Sequence, residues 1–399
     1  MDFTKIKSID DIEVKNKRIL MRVDFNVPLE NGQVKSDLRI RAALPTIQAL
    51  LNRGGRVILV SHLGRPKGKV DPQFSLRPVL AALTKLVTAP VHFCESIDLL
   101  QSQSESLKSG EILLLENIRF YEGEEKNDAD LSAKLAKAGD VYVNDAFGTA
   151  HRAHASTAGI TQKLRPAVSG YLMKKELDFL GKVITNPEAP FIAVIGGAKI
   201  SGKIDVIENL APKVDKLLIG GAMAYTFYKA KGYNIGKSLV EDDRVEMAKE
   251  LLSRFVDKLL LPTDCVVSTE FDFEARKIGQ LKSVAANSMS DNDIGLDIGP
   301  ATIESYKQIL AKARTVLWNG PMGVFEIDAT AKGTFAIANT LAEITDNGAI
   351  TVIGGGDSAA AIEKANLANR VSHVSTGGGA SLELLEGKEL PGVTVLDSK

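Results

Sequence analysis

The sequence has few of the residues that mark secreted, zinc-binding or membrane-spanning proteins. Its 399 residues include two cysteines, Cys94 and Cys265, which lie far apart and provide neither a disulfide framework nor a zinc-ligand pattern. The apolar runs are short, and those at 57–60 and 112–115 are typical and far below the length of a membrane span. Residues 1–18 are charged and contain no apolar signal region. We therefore expect a cytoplasmic protein with no membrane partner.

An excess of either charge is also missing. The 49 Lys and Arg residues nearly balance the 50 Asp and Glu residues, which gives a net charge of -1. A general polyanion binder normally has a basic excess, so nucleic acid is not expected as a partner. Any anion site must instead arise from local clustering of cations. The chain is longer than a domain with a single hydrophobic core usually is, which favours two domains.

Short apolar runs alternate with longer helical patterns along the chain. This alternation predicts an α/β fold with parallel sheets covered on both faces. We expect two Rossmann-like, doubly wound parallel-sheet lobes joined by a helix, with a cleft between them. The predicted strands are 19–23, 57–60, 91–93, 112–115 and 141–143 in the first half, and 191–195, 217–219, 265–267, 315–317, 350–353 and 373–375 in the second half.

One helical pattern near the middle of the chain is the predicted boundary. Met173, Leu177, Leu180 and Ile184 recur at helical spacing, and the pair at 186–187, Asn-Pro, ends the helix. The alternative is an ordinary crossover helix inside one large sheet, but the chain length favours a linker. The predicted domains are residues 1–172 and 188–385, joined by an interdomain helix at 173–187, with a tail at 386–399 that returns to the first domain.

In the first half, the predicted strands run into charged and hydrogen-bonding side chains. Ligands of open parallel sheets bind outside the carboxyl ends of the strands. Arginine suits carboxylate and phosphate, and although one arginine more often forms a surface salt bridge, four at equivalent ends favour an anion site. The residues are Asp24, Phe25, Asn26, Arg39, His62, Leu63, Gly64, Arg65, Arg119 and Arg152.

In the second half, the predicted strands run into glycines. Glycine lets backbone N–H groups approach phosphates closely, and a helix N-terminus adds a favourable dipole. One glycine pair is usually only a tight turn, but five such strand ends predict a nucleotide site. The glycine segments are 196–197, 220–221, 320–323, 354–356 and 377–379.

Two of these segments approach known nucleotide-binding motifs without matching them. Residues 197–204 follow the P-loop pattern until Ile204 replaces the magnesium-binding Ser or Thr, although Lys199 and Lys203 remain able to reach phosphates. Residues 354–359 resemble a dinucleotide fingerprint, but no acidic residue follows at the end of the next strand. Asp357 is therefore interpreted as a magnesium ligand or, equally well, as a helix N-cap.

Taken together, the segments resemble the phosphoglycerate kinase family over essentially the whole chain. Any one segment is modest evidence, but all of them in family order are highly specific. They are RVDFNVP at 22–28, SHLGRP at 61–66, ENIRF at 116–120, DAFGTAHRAHAS at 145–156, GGAKISGKI at 196–204, WNGPMGVFE at 318–326, GGGDS at 354–358 and STGGGA at 375–380.

The resemblance implies phosphoryl transfer between 1,3-bisphosphoglycerate and ADP, giving 3-phosphoglycerate and ATP. It implies that the strand-end residues of the first half, named above, hold the glycerate. Gly295 is then expected in the adenine pocket and Glu326 on the ribose hydroxyls. One departure is Gly202, where the family commonly has Asp. The residues implied to hold the nucleotide are Lys199, Lys203, Gly295, Glu326, Gly354, Gly355, Gly356, Asp357 and Ser358.

The chemistry of this reaction fits such a site. The acceptor carboxylate is already ionised at neutral pH, so the protein must position the substrates and stabilise charge on the transferred phosphoryl group. We expect Arg39, Lys203 and the N–H groups of Gly377, Gly378 and Gly379 to stabilise that charge, with Mg²⁺ on the nucleotide near Asp357. The family expectation is a monomer. The alternatives are a nicotinamide-dependent dehydrogenase and a non-catalytic nucleotide sensor.

Overall fold

Two six-stranded parallel sheets organise the chain, one in each of two compact units. The structure, a computed structural model, describes residues 2–399. The first unit contains residues 2–178 and Glu389–Lys399, and the second contains Phe179–Lys388. The last eleven residues of the chain therefore pack with the first unit.

The first unit is built on a sheet in the order β5-β6-β4-β1-β7-β8, with every neighbouring pair parallel. The strand β6 is apolar and buried throughout, and β4 and β7 are largely so, as expected when helices cover both faces of a sheet. The strands are β1 Arg18–Arg22, β2 Leu29–Glu30, β3 Gln33–Val34, β4 Arg56–Val60, β5 Val91–Cys94, β6 Ile112–Leu115, β7 Val141–Asn144 and β8 Ala167–Ser169. The helices are α1 Leu38–Asn52, α2 Arg77–Leu86, α3 Ile97–Ser106, α4 Ala129–Lys137 and α5 Tyr171–Thr185, which continues into the second unit.

The second unit has a sheet in the order β11-β10-β9-β17-β18-β19, again parallel throughout. Its strands are β9 Phe191–Ile195, β10 Lys216–Ile219, β11 Leu259–Leu260, β12 Asp264–Ser268, β13 Phe271–Asp272, β14 Lys277–Ile278, β15 Lys282–Ala285, β16 Ile294–Ile298, β17 Thr315–Asn319, β18 Ile350–Gly354 and β19 His373–Val374. Its helices are α6 Ile204–Leu210, α7 Met223–Ala230, α8 Val245–Arg254, α9 Pro300–Leu310, α10 Lys332–Asp346, α11 Gly356–Lys364 and α12 Gly379–Leu385, and α13 Pro391–Thr394 belongs to the first unit.

The predicted α/β fold with two Rossmann-like lobes is confirmed, with one strand assigned to the wrong kind of sheet. The strand predicted at 265–267 exists as β12, but it pairs antiparallel with β15 and β16 in a separate three-stranded sheet. Its residues alternate in burial, which is typical of a sheet covered on one face only. Two short parallel strands, β8 and β11, were not predicted because two or three residues carry no periodic signal.

Within residues 2–399, no helix combines the length and the hydropathy that a membrane crossing requires.

Asp145, directly after β7, is fully buried, and its Oδ1 accepts a hydrogen bond of 3.0 Å from the N–H of Met173 at the start of α5. Burial raises the pKa of Asp145 from 3.8 to about 7. The folded protein thus holds this proton to higher pH than the unfolded chain does. The stability contribution of the group is present below about pH 3.8 and is lost as pH rises towards about 7.

We therefore predict that the free energy of unfolding of Asp145→Asn falls less between pH 3.8 and about 7 than that of the parent protein. Urea unfolding of the variant and the parent protein at several pH values measures the difference. The free energy of unfolding of the variant relative to the parent should rise with pH. A difference that stays constant with pH would contradict the raised pKa. Asp140→Asn is the matched control, because burial raises the pKa of Asp140 but the hydrogen bonds and charge of Arg18 outweigh it and lower the pKa. Its pH dependence has the opposite sign and lies below about pH 3.8, so this variant should show little change between pH 3.8 and 7.

Candidate active site

The strand order of the second sheet reverses between β9 and β17, which is where ligands bind in sheets of this type. The loops after these two strands touch. A Cβ added at Gly196 would lie 2.2 Å from the carbonyl oxygen of Pro321, and one added at Gly320 would lie 2.1 Å from the carbonyl oxygen of Gly196. Glycine at both positions is therefore required for the two loops to meet.

A cavity of about 550 Å³ opens beside these loops, entirely within the second unit. Its walls combine apolar side chains with backbone, as small-molecule sites usually do. Gly295, Glu326 and Asp357, all predicted to hold the nucleotide, line this cavity. A Cβ added at Gly295 would lie 1.8 Å from Oη of Tyr225, so any larger residue would displace the wall there. Larger apolar residues that line the cavity include Leu239, Phe271, Phe273, Leu296, Met322 and Val324.

A second group of predicted residues gathers beside the cavity at the end of β17. Nζ of Lys203 donates a hydrogen bond to Oδ1 of Asn319. Nδ2 of this buried amide has no hydrogen-bond partner among residues 2–399. Oγ of Ser358 accepts a hydrogen bond of 2.5 Å from the N–H of Gly320. Burial lowers the pKa of Lys203, and the charge of Asp357 acts in the opposite direction. A half-buried ammonium group next to an unpartnered amide donor is suited to anionic oxygens.

The remaining residues predicted for the nucleotide lie outside the cavity lining. Lys199 is exposed, Gly354 ends β18, and Gly355 precedes α11, with Gly356 at its first position. Gly377, Gly378 and Gly379 lead into α12, where the N–H of Gly377 donates to Oγ of Ser375 over 3.1 Å. To bind a phosphate, this N–H group would have to break its hydrogen bond to Ser375.

In the first unit, hydrogen bonds tie five of the predicted substrate residues together. Nη1 of Arg39 donates to Oδ2 of Asp24 at 2.6 Å, and Oδ1 of Asp24 accepts from the N–H of Asn26. Oδ1 of Asn26 accepts from the N–H of Gly64 at 2.9 Å, and the carbonyl oxygen of Gly64 accepts from Nη1 of Arg119, also at 2.9 Å. The ends of β1, β4 and β6 are thus joined into one polar edge.

This polar edge carries a concentrated positive charge. Burial lowers the pKa of His62 well below its ordinary value, and the charges of Arg22, Arg119 and Arg39 lower it further. Burial also lowers the pKa of Arg119, against the opposing charge of Glu125. Nε of Arg152 donates to Nε2 of His151 over 3.1 Å. Because these positively charged groups repel one another, a bound anion with several negative charges would stabilise them.

Three other predicted substrate residues are placed differently. Arg65 is exposed in the loop that follows β4. The side chains of Phe25 and Leu63 lie in the hydrophobic core of the first unit. Only the backbone of these two residues is therefore available to a ligand.

Sequence reasoning missed several residues that the structure places in these sites. Arg22 is fully buried next to His62. The only sequence feature that could have identified it is a charged residue at the last position of an apolar strand. Asn319 similarly ends the buried strand β17. Phe271 and Phe273, which line the cavity, lie in and beside a small hairpin that has no periodicity to reveal it.

The chemistry of Asp357 fits Mg²⁺ that arrives with a nucleotide. Within residues 2–399, no group of three or more His, Cys, Asp and Glu side chains forms a metal cage. Mg²⁺ commonly binds through one or two carboxylates together with substrate phosphates and water. Asp357 supplies one exposed carboxylate in the first turn of α11, beside the cavity and Lys203.

Comparison with known proteins gives one consistent result. The family model described as phosphoglycerate kinase matches residues 9–388. A phosphoglycerate kinase of Chlorobium phaeobacteroides is 56% identical over 398 residues, covering 98% of this chain and 99% of the relative. The enzyme of Chloroherpeton thalassium is 55% identical over 399 residues, covering 99% and 100%. The solved structure of phosphoglycerate kinase from Coxiella burnetii has a TM-score of 0.89 and 41% identity, and covers 98% of each chain.

Proposed function

The chain belongs to the phosphoglycerate kinase family, and from this premise we propose that its first unit holds the acid and its second unit holds the nucleotide. As a phosphoglycerate kinase, it transfers a phosphoryl group between 1,3-bisphosphoglycerate and ADP, giving 3-phosphoglycerate and ATP. The predicted family, enzyme class and role in glycolysis are thereby confirmed. The dehydrogenase and sensor alternatives are set aside.

The observation that carries the proposed division of labour is the contrast between the two strand-end sites. The first unit offers guanidinium groups around His62, which suit a small molecule with a carboxylate and a phosphate. The second offers an apolar cavity with Gly295 and Glu326 on its wall and Lys203 at its side. An aromatic base fits the apolar cavity, and its phosphates would extend towards Lys203 and Asp357.

The reaction chemistry assigns roles to the charged groups. The acceptor carboxylate needs no base, so we assign Arg39 and Lys203 to the developing charge on the transferred phosphoryl group. The N–H groups of Gly377, Gly378 and Gly379 would assist them. Bound Mg²⁺ would supply charge neutralisation on the phosphate oxygens, and Asp357 would orient it.

Transfer also requires the two substrates to come into contact, so the proposal requires the two units to close on each other. Closure would exclude the water that competes for the phosphoryl group. Small-angle scattering should show a smaller radius of gyration with both substrates bound than with neither. Equal radii would contradict closure.

The cellular setting is proposed on simpler grounds. Cys94 and Cys265 are buried and unpaired, which suits a reducing cytoplasm. The family expectation remains a monomer.

We predict that Arg65→Ala and Arg152→Ala each raise KM for 3-phosphoglycerate by about 10- to 100-fold, because each change removes charge-assisted hydrogen bonds to an anion. KM for ATP should change much less. Steady-state kinetics with each substrate varied in turn measures both constants. Arg77→Ala is the control, because this exposed arginine of the same unit pairs with the exposed Glu95 and takes no part in the hydrogen bonds that join Asp24, Asn26, Gly64 and Arg119. A larger rise in KM for ATP than for 3-phosphoglycerate would reverse the assignment of the two units.

A further inference from the structure

A series of buried hydrogen bonds leads from Glu124 to the ring of His62. Oγ of Ser156 donates to Oε1 of Glu124 at 2.6 Å, and the N–H of Ser156 donates to Oε2 at 2.9 Å. Nε of Arg22 donates to Oγ of Ser156 at 2.8 Å. Nη2 of Arg22 lies 3.2 Å from Nδ1 of His62. Glu124, Ser156 and Arg22 are fully buried, and His62 is 3% exposed.

The direction of each hydrogen bond in this series is fixed by chemistry. Both oxygens of Glu124 accept hydrogen bonds, so the hydroxyl hydrogen of Ser156 points to the carboxylate and its lone pairs face Arg22. A guanidinium group has only donors, so Nδ1 of His62 must be the acceptor. The ring hydrogen of His62 is then on Nε2.

The charges around the ring are consistent with a neutral imidazole. Burial and the nearby arginines lower the pKa of His62 well below its ordinary value. Protonating Nδ1 would direct a hydrogen at the donor group of Arg22. A neutral ring with hydrogen on Nε2 can still donate one hydrogen bond to an anion.

Glu124 is the acidic group at the end of this series: burial raises its pKa, and the charge of Arg22 and the hydrogen bonds from Ser156 act in the opposite direction. An unpaired guanidinium in a low-dielectric interior is strongly destabilising. His154 is not an alternative partner for Glu124, because its Nδ1 lies 3.7 Å from Oε1 and its pKa is lowered to about 3, first by burial. Oη of Tyr142 donates to the carbonyl oxygen of Ser156 at 2.9 Å, which fixes the serine backbone between the two charges.

We propose that Glu124, Ser156 and Arg22 are positioning residues that hold His62 as the neutral tautomer with hydrogen on Nε2, so that the ring donates a hydrogen bond to the acid substrate. This inference rests on the proposed substrate role of the first unit. It separates two functions among the cations of that unit: the exposed arginines supply charge, whereas Arg22 fixes the orientation and tautomer of a donor.

Two-bond ¹H–¹⁵N NMR of the histidine rings tests the tautomer in the intact enzyme. The chain has five histidines, and His62→Ala identifies the signal of His62 by its loss. The expected spectrum shows an unprotonated Nδ1 and a protonated Nε2 at neutral pH. Hydrogen on Nδ1, or on both nitrogens, would overturn the proposal. This result comes from the parent enzyme, so it does not depend on whether any variant of Glu124, Ser156 or Arg22 folds.

Ser156→Ala tests the positioning role. The change removes the hydroxyl between Glu124 and Arg22, and we expect a mixture of His62 tautomers and a rise of about three- to tenfold in KM for 3-phosphoglycerate, with KM for ATP unchanged. Ser104→Ala is the matched control, since this buried serine of the same unit donates to the carbonyl oxygen of Gln101 at 2.7 Å and should change neither reading. An unchanged tautomer and KM in Ser156→Ala would exclude the role.

The kinetics of His62→Ala distinguish this inference from the proposed function. An unchanged KM for 3-phosphoglycerate in that variant would remove His62 from the substrate site, whatever its tautomer. A raised KM together with hydrogen on Nδ1 in the parent enzyme would retain the substrate site and reject the positioning series alone.

Discussion

Replacing Lys203 with methionine is expected to lower kcat by at least about 100-fold, which corresponds to roughly 3 kcal/mol of the barrier. Methionine keeps the unbranched apolar stem but removes the ammonium group that now bonds Asn319. Burial lowers the pKa of this lysine, and the charges of Asp357 and Glu386 act in the opposite direction. An anionic phosphoryl group beside Nζ would stabilise the charged form further. Steady-state kinetics with both substrates saturating measures the effect.

The control for this variant is Lys213→Met. Lys213 is in the same unit, follows α6 and bonds the side chain of Asn209, away from β17. Its loss should leave kcat within a factor of about two, as is usual for surface substitutions. A near-normal kcat in Lys203→Met would remove this lysine from the catalytic residues. A changed KM for ATP with normal kcat would limit it to ground-state binding.

The second large effect is expected for Arg39→Met, again a fall in kcat of about 100-fold. Arg39 lies in the first turn of α1, and Asp24 holds its guanidinium group through a 2.6 Å hydrogen bond. This side chain is 38% exposed, so the guanidinium group is both oriented and accessible. The proposed role in stabilising the transferred phosphoryl group requires kcat to fall more than substrate binding weakens.

Arg41→Met provides a control two residues along the same helix. Arg41 pairs with Asp37 within one turn and is 56% exposed, so it carries the same charge without facing the polar edge. If both variants lose activity equally, the effect is one of general positive charge. If Arg39→Met raises only KM for 3-phosphoglycerate, Arg39 anchors the substrate and does not act on the transferred group.

The strands of the two parallel sheets were largely predictable, because strands buried on both faces appear as uninterrupted apolar runs. The run at 191–195 is β9 itself, and the run at 112–115 is β6. The sheet that contains β12 was not predictable in the same way. A half-covered antiparallel strand has alternating burial, and its pairing with β15 and β16 depends on contacts distant in sequence.

The strand-end residues and the family resemblance grouped residues that the structure also places close together, and their binding roles stay predictions. Gly295, Glu326 and Asp357 meet at one cavity, and Asp24, Asn26, Arg39, Gly64 and Arg119 are linked by hydrogen bonds. Arg22 and Asn319 were not predictable as site residues because each is the final residue of a buried strand. The role of each depends on the side chain that it contacts from a distant part of the chain, which is His62 for Arg22 and Lys203 for Asn319.

The most direct test of the division of labour is backbone amide NMR of the isotopically labelled enzyme, titrated separately with 3-phosphoglycerate and with MgADP. We expect 3-phosphoglycerate to shift first the amides near Asn26, Gly64 and Arg119, and MgADP to shift first the amides around the cavity near Gly295 and Asp357. Shifts from 3-phosphoglycerate centred on the cavity, with the amides near Arg119 unaffected, would contradict it.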